Sequence, residues 1–201
     1  MPMAKISKQS EDKITQKLLE SAQQADDKII YAMCGIPGSG KTSYVQKKIQ
    51  AGEFPKTAFI LNPDIVMNNL DEYIQDKETL GAEKAFKKWE IPSRTLAYDL
   101  FYKAQFEGKS IIIDMGCARE ENHQMLIALK EAGYKIHMTH IICDADVALE
   151  RIQSRERFTP IDMVYKRAMV LDTLIPSYKA LADTFEEFDN TPFREDIAIT
   201  Q

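Results

Sequence analysis

Apolar positions come in short continuous runs, and between the runs they recur at helical spacing. The first run, Lys28-Ile29-Ile30-Tyr31-Ala32-Met33-Cys34, is too short and too uniformly apolar for a strand with one wet face. It predicts the buried central strand of a parallel sheet. Before it, Ile14, Leu18, Leu19 and Ala22 mark a helix over residues 10–24, with Ser10 as the N-cap. After it a helix is predicted over 42–50. A second strand, 57–61, stops at Asn62-Pro63-Asp64, because proline offers no donor and restricts the residue before it. One or two short charged helices fill 65–89, and Ser93 is expected to cap a further helix ending near Phe106. Ser110-Ile111-Ile112-Ile113-Asp114 reads as the third strand. A helix over 120–131 closes at Gly133. The fourth strand covers 134–142, helices follow from Asp144 toward Arg157 and from Pro160 to about Ala182, and 185–189 is an edge strand.

Strands alternating with helices make βαβ units. The expected architecture is three-layered α/β: a mostly parallel five-stranded sheet with helices on both faces. Residues 28–190 form one domain, preceded by a tail and helix at 1–27 and followed by a tail at 191–201. A length of 201 residues suits a single domain, and a hydrophobic content of 44% provides a core. No apolar run is long enough to span a bilayer and no segment has a secretory layout, so a cytoplasmic chain is expected. A net charge of −5 gives no general attraction to nucleic acid. Cys34, Cys117 and Cys143 lack metal-ligand pairing and read as buried reduced thiols. Trp89, Tyr98, Phe101 and Tyr102 read as packing residues.

The most informative segment joins the first strand to its helix: Gly35-Ile36-Pro37-Gly38-Ser39-Gly40-Lys41-Thr42, followed by Ser43. The pattern G-x-x-x-x-G-K-[ST] between a strand and a helix is a phosphate-binding loop. Its amides wrap an anion at a helix N-terminus, where the dipole favours negative charge. Lys41 supplies a cation for the β- and γ-phosphates, and the Thr42 hydroxyl is placed for Mg²⁺, so ATP and Mg²⁺ are the expected cofactors.

Three further features fit phosphoryl transfer. Asp64 follows the second strand, where a carboxylate can take a substrate hydroxyl's proton; a turn with Asp64 capping the next helix is the alternative. Asp114 ends the isoleucine strand and can hold Mg²⁺ or contact substrate. Arg151, Arg155 and Arg157 cluster on one segment, as arginines that close over a γ-phosphate do; a solvated Glu–Arg helix face would look similar.

Together the phosphate loop, Asn62-Pro63-Asp64, Ile111-Ile112-Ile113-Asp114 and Arg157-Phe158-Thr159-Pro160 resemble the zeta-toxin group of P-loop kinases. Polynucleotide kinase and chloramphenicol phosphotransferase are more distantly similar. The resemblance runs from about residue 28 to 190. It implies a fold of nucleoside-monophosphate-kinase type with a helical lid, and transfer of the ATP γ-phosphate to a hydroxyl, in characterised zeta toxins that of a UDP-N-acetylhexosamine. By the same resemblance Asp64 is the base, Lys41 the phosphate lysine, Arg155 and Arg157 the γ-phosphate arginines, and Asp99 lies near an acidic substrate residue. An antitoxin-like protein is an implied partner. The chain departs from the family after the third strand. The family has an acidic residue, glycine and threonine, then an arginine two positions on; here the order is Asp114-Met115-Gly116-Cys117-Ala118-Arg119. The ATP half is thus retained, while the acceptor half, with Asp114 and Arg119, is altered. The alternatives to a small-molecule kinase are a polynucleotide 5′-kinase and a non-catalytic nucleotide-binding regulator.

Overall fold

The computed structural model describes residues 4–154 and 158–192. Five strands, β1 (Ile29–Cys34), β2 (Phe59–Leu61), β3 (Ile111–Ile113), β4 (Lys135–Ile142) and β5 (Thr184–Asp189), form one sheet in the order β2-β3-β1-β4-β5. Every pairing is parallel, so the sheet is parallel throughout rather than mostly so. β1 is central, with Ala32 opposite Ile113 on one side and Met138 on the other. All strands therefore end at the same edge of the sheet, and the loops that follow them meet there.

Helices are α1 (Lys8–Thr15), α2 (Lys41–Gln50), α3 (Pro63–Asn68), α4 (Asp71–Leu80), α5 (Ala82–Phe106), α6 (Glu120–Glu131), α7 (Ala145–Gln153) and α8 (Asp162–Leu181). A π-helical turn, Gln16–Glu20, continues α1. Strand alternation divides the core in two. Ile30, Ala32 and Cys34 face the larger cluster, with Ile111, Ile113, Leu100, Phe101 and Tyr178. Met33 and Ile112 face a smaller one closed by Tyr44 and Val45 of α2 and by Phe54. The three isoleucines of β3 are at most 1% exposed, which explains a continuous apolar run rather than an alternating one.

Two expected boundaries move. Ser7, not Ser10, caps α1: its side chain accepts from the Ser10 amide, while Ser10 is buried and donates to Glu72 at 2.7 Å. Ser93 does not begin a helix, for α5 runs unbroken through Pro92. Its buried positions Ala85, Phe86, Trp89, Pro92, Ser93, Leu96, Ala97, Leu100 and Phe101 keep one phase across the proline. Burying a large apolar side chain contributes roughly 1.5–3 kcal/mol. Four or five of them outweigh the ~3 kcal/mol cost of a proline in a helix interior. The N-terminal helix also belongs to the main core: Ile14 and Leu19 are buried in it. Just beyond, the Gln23 amide donates to Thr57 O at 2.8 Å and the Ser110 amide to Gln23 O at 3.0 Å, tying this segment beneath β2 and β3.

Candidate functional site

At the carboxyl edge of the sheet, β1 passes into the glycine loop and the loop into α2. Gly40 is the N-cap of α2, with φ 96° and no side-chain cap. The first i→i−4 bond of the helix is Tyr44 N to Gly40 O, at 3.0 Å. The amides of Lys41, Thr42 and Ser43 precede it and make no helical bond, which leaves an anion site at the mouth of the helix. The close quarters here come from protein as well as from any ligand. A Cβ on Gly38, at φ 84°, would lie 2.4 Å from the Ala148 carbonyl oxygen of α7. Ser39 is buried, and Ile36 and Pro37 complete the turn.

Lys41 curls over the loop, its Nζ donating to Gly35 O at 3.0 Å, Ile36 O at 2.8 Å and Ser39 Oγ at 3.3 Å. Burial lowers its pKa from the ordinary lysine value, and nearby acidic groups, Asp114 foremost, oppose that shift. Thr42 Oγ1 donates to Asp114 Oδ2 at 2.8 Å, and Asn62 Nδ2 donates to the same oxygen at 2.8 Å. The other oxygen, Asp114 Oδ1, is buried with no hydrogen-bond partner among the described residues. An orphaned carboxylate oxygen beside a threonine hydroxyl fits a hard divalent cation, so Thr42 and Asp114 are the residues that would hold Mg²⁺. Among the described residues no group of three or more His, Cys, Asp or Glu could cage a metal.

Asn62, not Asp64, caps the helix after β2. Asn62 is the N-cap of α3, its Oδ1 accepting from the Asp64 amide at 2.9 Å, and Pro63 occupies the first turn. The capping role thus falls to Asn62, and Asp64 lines the cleft with Lys41 and Thr42.

Across the cleft, α5 presents Phe86, Glu90, Ser93, Arg94 and Tyr98 at helical spacing. Arg94 pairs with Glu90. Ser93 Oγ is buried without a hydrogen-bond partner among the described residues. Arg119, the residue at the N-cap of α6, and Arg167 of α8 join Arg94 on this wall. Arg167 donates to Ala118 O at 2.8 Å. Burial lowers the Arg167 pKa, and the positive fields of Arg119 and Arg94 add to it. Tyr98 accepts from Asn122 Nδ2 at 3.0 Å. Between the halves lies Cys117, whose φ of 47° is left-handed and whose carbonyl accepts from the buried Tyr178 hydroxyl at 2.7 Å. Burial raises its thiol to about 12, which keeps it protonated.

The structure thus brings Gly35, Pro37, Gly38, Gly40, Lys41, Thr42, Ser43, Asp64, Asp114 and Arg119 around one cleft. Asp99 is not part of that wall: it is exposed, and Arg94 and Tyr98 of the same helix occupy the position expected of it. Arg155 and Arg157, and with them part of the expected lid, lie outside the described residues. Arg151 sits behind the glycine loop. Its guanidinium reaches Gly38 O at 3.5 Å and Asn190 O at 2.9 Å. Glu90, Ser93, Arg94, Asn122 and Arg167 were not foreseen. Their only signal is spacing on helices whose cleft-facing side sequence does not reveal.

Known proteins share this fold. A solved protein of the PezAT chromosomal toxin–antitoxin system of Streptococcus pneumoniae superposes with a TM-score of 0.72. It is 14% identical, with 94% of this chain and 80% of that one covered. The AvrRxo1-ORF1:ORF2 complex gives a TM-score of 0.65 at 22% identity over 90% of this chain. The chain spans 62% of that protein's length, and the same complex has also been solved with ATP. A candidate kinase from Chloroflexus aurantiacus gives 0.56 at 18% identity, covering 86% and 91%. These likenesses establish the fold, a five-stranded parallel α/β fold with a phosphate loop after its central strand. No curated protein matches by sequence. A family model described as an AAA domain matches residues 30–173, from the central strand through most of α8. With more than two-thirds of its length matched and a phosphate loop at the head of that stretch, the chain belongs to this AAA domain family.

Proposed function

We propose that the protein is an ATP–Mg²⁺-dependent phosphotransferase that moves the γ-phosphate of ATP onto a hydroxyl of a small anionic acceptor. One observation carries this reading: Lys41, Thr42, Asp114 and Asp64 share a single cleft with Arg94, Arg119 and Arg167. On this reading the phosphate loop forms one half of the cleft and the arginine wall the acceptor half. The loop amides and Lys41 hold the β- and γ-phosphates and neutralise charge on the transferring group. Bound Mg²⁺ would add Lewis-acid stabilisation of the phosphoryl oxygens. Asp64 accepts the acceptor's hydroxyl proton as that oxygen bonds to the γ-phosphorus and the bond to the ADP oxygen breaks. Arg94, Arg119 and Arg167 on the wall across from the phosphate loop, with Glu90 paired to Arg94, favour an acceptor that itself carries a phosphate or carboxylate. That includes, without requiring it, the nucleotide-sugar class suggested by the zeta-toxin resemblance. The toxin–antitoxin and two-protein complexes among the structural neighbours support a protein partner for this chain as well.

The test is incubation with γ-labelled ATP, Mg²⁺ and a cell metabolite extract, with labelled products separated by charge and identified by mass spectrometry. A labelled, alkaline-phosphatase-sensitive metabolite is expected, and Asp64→Asn should reduce its formation about 10²–10⁴-fold, the usual range for losing a general base. ATP affinity should stay within about twofold in that variant. Calorimetric ATP binding with no labelled metabolite would replace this reading with that of a nucleotide-binding regulator. Unimpaired transfer by Asp64→Asn would remove Asp64 from its role.

A further inference from the structure

Asn190 follows β5 and stands at the back of the glycine loop, where three elements meet. Its amide donates to Ile142 O at the end of β4, at 2.9 Å, and its carbonyl accepts from Arg151 Nη2 of α7, also at 2.9 Å. With its backbone clamped from both sides, its side chain has a fixed origin. Nδ2 donates to the carbonyl of Ser39 at 2.7 Å. The same amide group fills the space beside Gly40, where a Cβ would fall 2.3 Å from Nδ2.

The bond matters because of the plane it fixes. In a trans peptide the C=O of one residue and the N–H of the next point in opposite directions. Holding the Ser39 carbonyl away from the cleft therefore turns the Gly40 N–H toward it, and Gly40 borders the cleft. Arg151 does the same, more loosely, for the preceding peptide through its 3.5 Å contact with Gly38 O. An anion-binding loop gains most from amides that already point inward, since reorienting them on binding costs free energy.

We infer that Asn190 is a positioning residue for phosphate binding, acting through the Ser39–Gly40 peptide from the end of β5. Asn190 itself is not among the residues that line the cleft. The inference rests on the proposed nucleotide-binding role of the loop and adds a determinant the phosphate-loop motif does not contain.

The test is calorimetric titration of the full chain with ATP–Mg²⁺, which needs no acceptor, in the wild type, Asn190→Ala and Asn190→Asp. Asn190→Ala leaves the Ser39 carbonyl without its partner and should weaken ATP binding about tenfold. Asn190→Asp sets a carboxylate against that carbonyl and should weaken it further, about a hundredfold. Hydrogen exchange at the amides of residues 39–42 should accelerate in both variants while that of β1 and β3 does not, a local change that general destabilisation would not produce. Should Asn190→Asp fail to fold, Asn190→Ala and Asn190→Ser carry the comparison. Equal ATP affinity and unchanged exchange at the loop in Asn190→Ala overturn the inference. Absence of ATP binding by the wild type would instead overturn the proposed function.

Discussion

At the scale of single residues, the glycine loop is shaped by its own protein before any phosphate arrives. Gly38 is the clearest case: its φ of 84° is left-handed, and the Ala148 carbonyl occupies the space where a side chain would begin. A non-glycine residue in that conformation costs roughly 1–2 kcal/mol before any collision. Because the neighbour is helix backbone, it has little freedom to yield. Gly38→Ala should therefore destabilise the protein by about 2 kcal/mol or more, which for a domain of this size is a drop of about 4–8 °C in Tm. ATP binding should be lost with it. Calorimetric melting and titration of the variant check both, and a wild-type melting temperature with intact ATP affinity would contradict the geometry. The loop itself was legible in the sequence, since its pattern and flanking elements are local. Which neighbour demands each glycine was not, because Ala148 and Asn190 lie more than a hundred residues away.

Among elements, agreement is best where local chemistry decides the ends. The helix expected at 120–131 is α6 to the residue, bounded by the Arg119 N-cap and by Gly133 at φ 86°. Agreement fails where packing overrides propensity, as at Pro92, or where two serines compete for a cap. Ser10 lost that competition to a tertiary partner. Glu72 of α4 accepts from the Ser7 amide at 3.0 Å and from the Ser10 hydroxyl at 2.7 Å, docking α1 onto α4. Burial alone would raise its pKa, but these hydrogen bonds outweigh it and hold the carboxyl down at about 2, against 4.5 ordinarily. A depressed carboxyl stabilises the folded state fully above about pH 4.5 and ceases to do so as pH falls through about 2. Glu72→Gln should thus lower Tm at pH 6–7, and the gap from wild type should shrink steadily below pH 4.5. Melting curves across that range check the linkage. A gap independent of pH would mean the carboxylate's charge is not what docks α1. The α5 wall of the cleft was less legible for a related reason: Glu90, Ser93 and Arg94 share a helix with an apolar stripe, and only the fold shows which edge of the stripe borders the cleft.

For the molecule as a whole, parallel topology gathers the loops after β1, β2 and β3 at one edge, with the end of β5 behind them. The proposed nucleotide phosphates would lie there, against the glycine loop. A ligand that binds only the folded state adds about 2.7 kcal/mol at a hundredfold excess over its Kd. For a domain of this length that is a rise of roughly 5–10 °C in Tm. ATP with Mg²⁺ should produce it and ATP with EDTA should produce much less, since Thr42 and Asp114 would then have no ion to share with the phosphates. Equal shifts in the two conditions would argue against a metal at this pair.

The pairing of β5 has a reach beyond the sheet. It is an edge strand with only β4 beside it, and Asp189 is aligned with Ile142 immediately before Asn190. A strand advances about 3.3 Å per residue. Losing or gaining one residue in β5 would displace Asn190 by more than the length of its bond to Ser39. An edge strand, ordinarily tolerant of small insertions, would thereby serve as a measuring rod for the centre, its length set by the bond from Asn190 to Ser39.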